Sequence, residues 1–351
     1  MVSGLRLMEF RCFRSLAIEV PPGGAIFAGD NAQGKTSILE ALCVLLRLHS
    51  PRTRKMAAMV KYESPGFGIA GEAWGMERQV RYGTGGLTMK VDGMECDGKS
   101  TYLADGGLVV WMGNEDLELV RGSGEVRRHY LDFIGTQLDP GYRRALGRYK
   151  TALRSKNMLL KDPKPRMREL ASYEEILICE GTALTRVRQD LVAALTPMAA
   201  AAQAAVSGGR ESLALVYEPA SGGDLREAID RARDKELRLR QSVVGPHRDD
   251  VRLLVDGASA SEFASEGQQR TLALALKLAQ GKLLEERGSR LPVYLMDDIF
   301  GELDPGRRNA LMAFLPPNAQ KWISTTYLNW MTETPEVAGL ARFAVAGGGV
   351  A

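Results

Sequence analysis

Apolar residues recur along this 351-residue chain with two different periods, and the switch between them divides it. Leu5 to Val20 reads as strand material, and Ala25–Ala28 is a short apolar run that stops at Gly29, as a buried strand would. From about Lys35 to Leu48 the spacing of Ile38, Leu39, Leu42, Leu45 and Leu46 predicts a helix. Residues 69–97 alternate between Gly83, Gly85, Gly86 and Gly93, which predicts antiparallel strands joined by tight turns. Leu108–Met112 is a further short apolar strand.

After Asn114 the period becomes helical. Leu146, Tyr149, Leu153 and Leu160 leave an apolar stripe on a basic helix from about Tyr142 to Leu160. Pro163 and Pro165 break it, and Tyr173, Leu177, Leu184, Val187, Leu191 and Leu195 mark a second long helix. Two such helices predict an arm, with the Ala-rich stretch 199–206 and Gly208-Gly209 as its end. Ser212–Tyr217 and a charged helix from Asp224 to about Gln241 follow, and α/β texture then returns. No internal repeat is present.

Composition narrows the class. With 45% hydrophobic and 25% charged residues, the chain matches a globular protein and neither a disordered nor a fibrous one. No apolar run approaches the ~20 residues of a membrane span, and charges break the N-terminus too early for a signal peptide. Cys12, Cys43, Cys96 and Cys179 stand far apart, without metal or disulfide spacing. A cytoplasmic protein with no membrane partner is the expectation.

Charge adds a location. The formal net charge is +3, yet Arg121 to Leu170 carries 13 Lys and Arg against 5 Asp and Glu. A basic segment on a slightly acidic body suits a polyanionic partner, or a solvated helical surface.

Three motifs carry chemistry. Gly29-Asp-Asn31-Ala-Gln-Gly34-Lys35-Thr36 matches G-x-x-x-x-G-K-[ST], between a predicted strand and a predicted helix. Such a loop turns backbone N–H groups onto a phosphate, Lys35 reaches the β- and γ-phosphates, and Thr36 takes a place on Mg²⁺. Val293-Tyr-Leu-Met-Asp297-Asp298 is an apolar strand delivering acids to a sheet edge. There Asp297 would hold the Mg²⁺ shell and Asp298 would orient or deprotonate the attacking water. Ser265-Glu-Gly267-Gln268-Gln-Arg270 precedes a long helix, with Ser265 as a candidate N-cap and Gly267 permitting close approach to an anion. On its own the third motif reads first as a simple capped helix start.

The order of loop, long insertion, S-x-G-Q motif, acidic strand and Glu302-Leu303-Asp304 resembles the ABC-type ATPase head of the SMC and RecF group. It is similar above all to the RecF family, over nearly the whole chain. The likeness rests on Arg11-Cys-Phe13-Arg14-Ser-Leu16, the loop Gly29–Ser37 with Leu39-Glu40-Ala41, and Asp116-Leu-Glu-Leu-Val-Arg-Gly122. It continues through Arg127-Arg128, Leu131-Asp132, Gly245-Pro-His247-Arg248-Asp249-Asp250, Gly267–Thr271 and Ser324-Thr325-Thr326. Departures are Gly113-Asn114 where a Pro is usual, Gly301 for Ser, and Tyr327 for an acidic residue.

The resemblance implies an α/β fold, an ABC-type P-loop ATPase head in two pieces (1–113 and 245–351) with an inserted, mainly helical arm domain (114–244). It implies a nucleotide site of Arg11, Gly29, Asn31, Gly34, Lys35, Thr36 and Ser37, completed by Ser265, Gly267 and Gln268 of a second copy. Lys35, Asp297, Asp298 and Thr325 would serve catalysis, and Thr36 and Asp297 the metal. ATP and Mg²⁺ are the implied cofactors. Slow hydrolysis, an ATP-dependent homodimer on duplex DNA near single-strand gaps, and RecR- and RecO-type mediator partners complete the expectation. His247 reads as a structural hydrogen-bonding residue. A transporter-energising ATPase and an SMC-like structural protein are the rival readings. The basic arm argues against the first, and the arm's shortness and lack of a C-x-x-C hook against the second.

Overall fold

The N-terminal alternation folds as a hairpin, Val2–Phe10 with Phe13–Glu19, in which Leu5 and Leu7 point inward and Arg6 and Met8 outward. The computed structural model describes residues 1–209 and 211–350. These form two units, Met1–Asp116 with Gln280–Ala351, and Leu117–Ala279.

The first unit holds two sheets. One is antiparallel, in the order Phe13–Glu19, Val2–Phe10, Phe67–Ala73, Met76–Gly83, Gly86–Val91, Met94–Glu95. The other runs Gly349–Val350, Ala341–Ala346, Gly24–Ala28, Lys321–Thr325, Val293–Asp297, Val109–Gly113, with every pairing parallel except the first. Its central strands are buried along almost their whole length because both faces are covered. Between the sheets lies the helix Lys35–Arg47, touching strands of both. That explains a helix buried nearly all round, with only Thr36 of its 13 residues outside the buried set. Each such Leu or Ile contributes about 1.5–3 kcal/mol by leaving water. Gly71 lets the antiparallel sheet come this close, since a Cβ there would sit 2.9 Å from Leu45 Cδ2 and 2.5 Å from the Gly4 carbonyl oxygen.

The second unit is built on two antiparallel helices, Pro140–Leu160 and Met167–Ser207. Tyr149 packs on Gly181, and Lys156 pairs with Glu174. The Ala-rich stretch is helical and carries the second helix, through Pro197, to 41 residues. It stops at a left-handed cap at Gly208, where the sequence places the arm's end. This helix is long and apolar enough to cross a membrane by composition. Its buried side chains include Leu191, Leu195, Ala199 and Ala202, and it packs on the strand Leu213–Glu218.

Residues 245–279 fall in this second unit, whereas the sequence reading assigns them to the ATPase part. Asp250–Val255 pairs antiparallel with Leu213–Glu218, and Arg188 Nη1 donates to the Pro246 carbonyl at 2.6 Å. Tyr149 Oη lies 2.7 Å from His247 Nδ1. The Gly245–Asp250 segment is thus tied to the arm helices by side-chain bonds that no local pattern announces.

Candidate nucleotide-binding site

The parallel register brings several sequence-distant residues to one sheet edge. Thr325 lies level with Ala28, the last residue before the loop, and Asp297 lies level with Ser324 and Gly113. The loop from Gly29 to Gly34 emerges there and opens the buried helix. Gly29 and Gly34 have φ of 159° and 104°, and a Cβ at either would strike a neighbour: the Val345 carbonyl at 2.2 Å, or Cys12 Sγ at 2.6 Å. Only glycine fits both.

Inside the loop, Lys35 Nζ donates to the carbonyls of Gly29 and Asp30, both at 2.7 Å. Burial lowers its pKa, opposed by the carboxylates of Asp298, Asp297 and Asp30. The Thr36 hydroxyl donates to Asp297 Oδ1 at 2.7 Å, as does the Ser324 hydroxyl at 2.5 Å. Burial raises the Asp297 pKa against those two hydrogen bonds, and Glu115 and Asp298 push it the same way. A carboxylate so placed, beside a hydroxyl at the head of a phosphate-type loop, fits a hard divalent cation. Asp298 takes a left-handed φ of 50°, and Thr326 N–H donates to its Oδ1 at 3.3 Å. A cleft of about 570 Å³ is lined by Arg11, Asn31, Gly34, Lys35, Thr36, Ser37, Arg52 and Asp298, with Ala58 and Val60 among the rest of its wall.

Thr325 stands apart from this set. It is fully buried; its hydroxyl donates to the Tyr327 carbonyl at 2.8 Å and accepts from Trp330 Nε1 at 3.1 Å. Those bonds shape the turn after the strand, and the groups the turn leaves open are Thr326 and the exposed Tyr327. The two departures Gly301 and Tyr327 meet here, a Cβ at 301 falling 4.0 Å from Tyr327 Cδ2.

Ser265, Gly267 and Gln268 belong to the second unit. Ser265 N–H donates to Gln268 Oε1 at 2.7 Å, and Gln268 N–H to Ser265 Oγ at 3.3 Å, a reciprocal capping box opening the helix Glu266–Arg287. That box accounts for the residue types at both positions, and it leaves Ser265 exposed at a helix N-terminus.

The sequence reading misses a cluster around Glu40. This fully buried carboxylate accepts from Arg11 Nε at 2.8 Å, Arg11 Nη2 at 2.6 Å and Ser50 Oγ at 2.6 Å, with Arg52 Nη1 3.6 Å away. The available signal was one acid inside an otherwise apolar helix.

The basic arm helix also differs from expectation. Lys156, one of the cations of that basic segment, is 1% exposed and lies 2.6 Å from Glu236 and 3.1 Å from Glu174. Arg148 pairs with Glu180 at 2.9 Å, and Lys150 lies 3.7 Å from Asp132. Partners for Lys156 and Arg148 thus come from helices beyond the basic segment. Arg144, Arg154, Lys161, Lys164 and Arg168 are exposed. His247 is held by Tyr149 and the Ser242 carbonyl, and its pKa is lowered to about 4, chiefly by burial and then by Arg248 and Arg128. It is a neutral, structural imidazole.

Comparison with known proteins follows the same lines. An AAA domain family matches residues 5–73. The DNA replication and repair protein RecF of Synechococcus sp. (strain JA-3-3Ab) is 36% identical over 92% of this chain and 90% of its own. The RecF of Symbiobacterium thermophilum is 34% identical over 93% and 92%. A solved structure of the recombination mediator RecF with ATP, in the RecFOR pathway, superposes with a TM-score of 0.89 at 26% identity, covering 100% of this chain and 96% of that one. An Smc head bound to the C-terminal winged-helix domain of ScpA shares the fold, with a TM-score of 0.57 at 14% identity over 99% of this chain and 95% of that one.

Proposed function

The chain belongs to the RecF family of DNA replication and repair proteins, and from that premise we propose that it is an ATP-gated DNA clamp. The observation that carries the reading is the 2.7 Å bond between Thr36 and Asp297, which joins loop and acidic strand across 261 positions of sequence.

The backbone of Gly29–Gly34 and Lys35 would hold the β- and γ-phosphates, and Ser37 at the helix start would hold the α-phosphate side. Thr36 and Asp297 would hold Mg²⁺, which supplies positive charge against the β- and γ-oxygens when bound. Asp298, which lines the cleft, would orient the attacking water and accept its proton. Hydrolysis by these groups is slow and rises with DNA. Ser265 and Gly267 of a second copy complete the site, using the exposed helix N-terminus as the anion-facing group. ATP therefore favours a homodimer. Exposed Arg and Lys of the arm neutralise duplex phosphates without base contacts, and mediator partners of RecO and RecR type act at gaps in the cytoplasm.

Sedimentation tests this. The wild type should be mainly monomeric alone and dimeric with ATP, and Asp298→Asn should hold the dimer longer. Ser265→Arg should bind ATP and stay monomeric. An unchanged mass with saturating ATP contradicts the proposal.

A further inference from the structure

Arg11 sits at the cleft in an unusual state for a residue facing a triphosphate. Its charge is already matched. Nε and Nη2 grip both oxygens of buried Glu40, and Nη1 donates to the Ala58 carbonyl at 2.7 Å. Three nitrogens are thus fixed in one plane, and the residue's own φ of 55° is held by Arg11 N–H donating to the Met59 carbonyl at 2.8 Å. A guanidinium paired in this bidentate way presents little net charge to a phosphate, but its flat face remains. Glu40 lies on the same helix as Thr36, one turn further along, so the plane is anchored one turn beyond the residue that bonds Asp297. The wall beside it is made of Ala58 and Val60, small aliphatic side chains suited to the edge of a ring.

We propose that Arg11 is a stacking shelf for the nucleotide base, and that Glu40 is the positioning residue that holds the shelf flat. This rests on the nucleotide-site reading above and adds to it which part of the ligand Arg11 meets. The role differs from phosphate neutralisation, in which the charge of Arg11 would matter and its planarity would not. Stacking is tolerant of base identity, so the shelf strengthens binding of any purine nucleotide without selecting adenine over guanine.

The test compares ligands that carry a base with one that does not. Affinities for ATP, ADP and inorganic tripolyphosphate are measured by calorimetry in the full-length protein and in Arg11→Lys, which keeps the charge and can still pair with Glu40. The shelf predicts that Arg11→Lys weakens ATP and ADP by the same factor, about tenfold, and leaves tripolyphosphate within error of wild type. Glu40→Gln should likewise lower affinity for ATP and ADP relative to tripolyphosphate, while tripolyphosphate itself binds at least as well as to wild type because Arg11 loses its counter-charge. The double variant should lose no more of that ratio than either single one. Should one variant fail to fold, the other carries the same comparison. An equal loss for tripolyphosphate, or full retention of ATP affinity with lysine, overturns the proposal. Wild-type protein that binds neither ATP nor tripolyphosphate would instead overturn the nucleotide site itself.

Discussion

The phosphate-type loop and the basic arm helix are both rich in charge, and they teach opposite lessons about reading charge from a chain. At the loop, Thr36 bonds Asp297 at one sheet edge and Lys35 folds back on the loop carbonyls, a geometry that a strand–turn–helix sequence encodes locally. On the arm, a count of 13 basic against 5 acidic residues suggests a row of free cations. Folding gives Lys156, Arg148 and Lys150 partners, two of them through Glu174, Glu236 and Glu180 of the neighbouring helices. Sequence-local charge balance describes a surface only where tertiary partners are absent.

The largest expected effect lies in that buried arm cluster. Lys156→Met should cost about 3–5 kcal/mol of stability, because two buried glutamates lose their central cation. Chemical denaturation followed by arm-helix signal measures it, and ATP affinity of the folded variant should stay unchanged. A stability equal to wild type would return Lys156 to the DNA-facing set.

Next comes the loop. Lys35→Ala should weaken ATP binding about a hundredfold, since it removes a charge-assisted bond to phosphate while the apolar helix stays packed. Wild-type affinity in a folded variant would separate the loop from the nucleotide.

His247 sharpens the comparison through pH. Its folded pKa of about 4 lies below the ordinary 6.5, so the unfolded chain binds more protons between those values. Stability is therefore present in full above pH 6.5 and is lost as pH falls towards 4, on the order of 3 kcal/mol. His247→Gln should flatten that stretch of the stability curve. An unchanged slope would mean that other groups carry it.

The smallest effect belongs to the exposed arm cations. Reversing Arg144, Arg154 and Lys161 to Glu should weaken duplex binding by roughly tenfold and flatten its salt dependence by about 0.9 for each phosphate no longer neutralised. Equal binding at two salt concentrations would place the duplex elsewhere.

These contrasts mark how far the sequence could be read. The helix Lys35–Arg47, the glycine-punctuated antiparallel strands and the acidic strand end were legible, because period and motif agree over short spans. The end of the long arm helix was legible in Gly208-Gly209, where a left-handed cap stops it, whereas the helical course of the Ala-rich stretch after Pro197 was not. Glu40 was visible as an acid in an apolar helix, but its partner Arg11 lies 29 residues earlier, across a hairpin turn. Thr325 belongs to a recognisable Ser-Thr-Thr motif, yet which of its hydroxyls is spent inside the turn depends on Trp330. The Gly245–Asp250 segment was assigned to the ATPase part, because nothing local reveals its bonds to Arg188 and Tyr149.

The central claim is that the nucleotide site and the DNA-gripping surface work as one device. It is tested most directly by duplex-DNA affinity at fixed salt, with and without ATP, in wild type and in Ser265→Arg. The account predicts that ATP tightens binding of the wild type, because two paired chains bring two basic arms to one duplex, and has no effect in Ser265→Arg. Equal tightening in both proteins would contradict it.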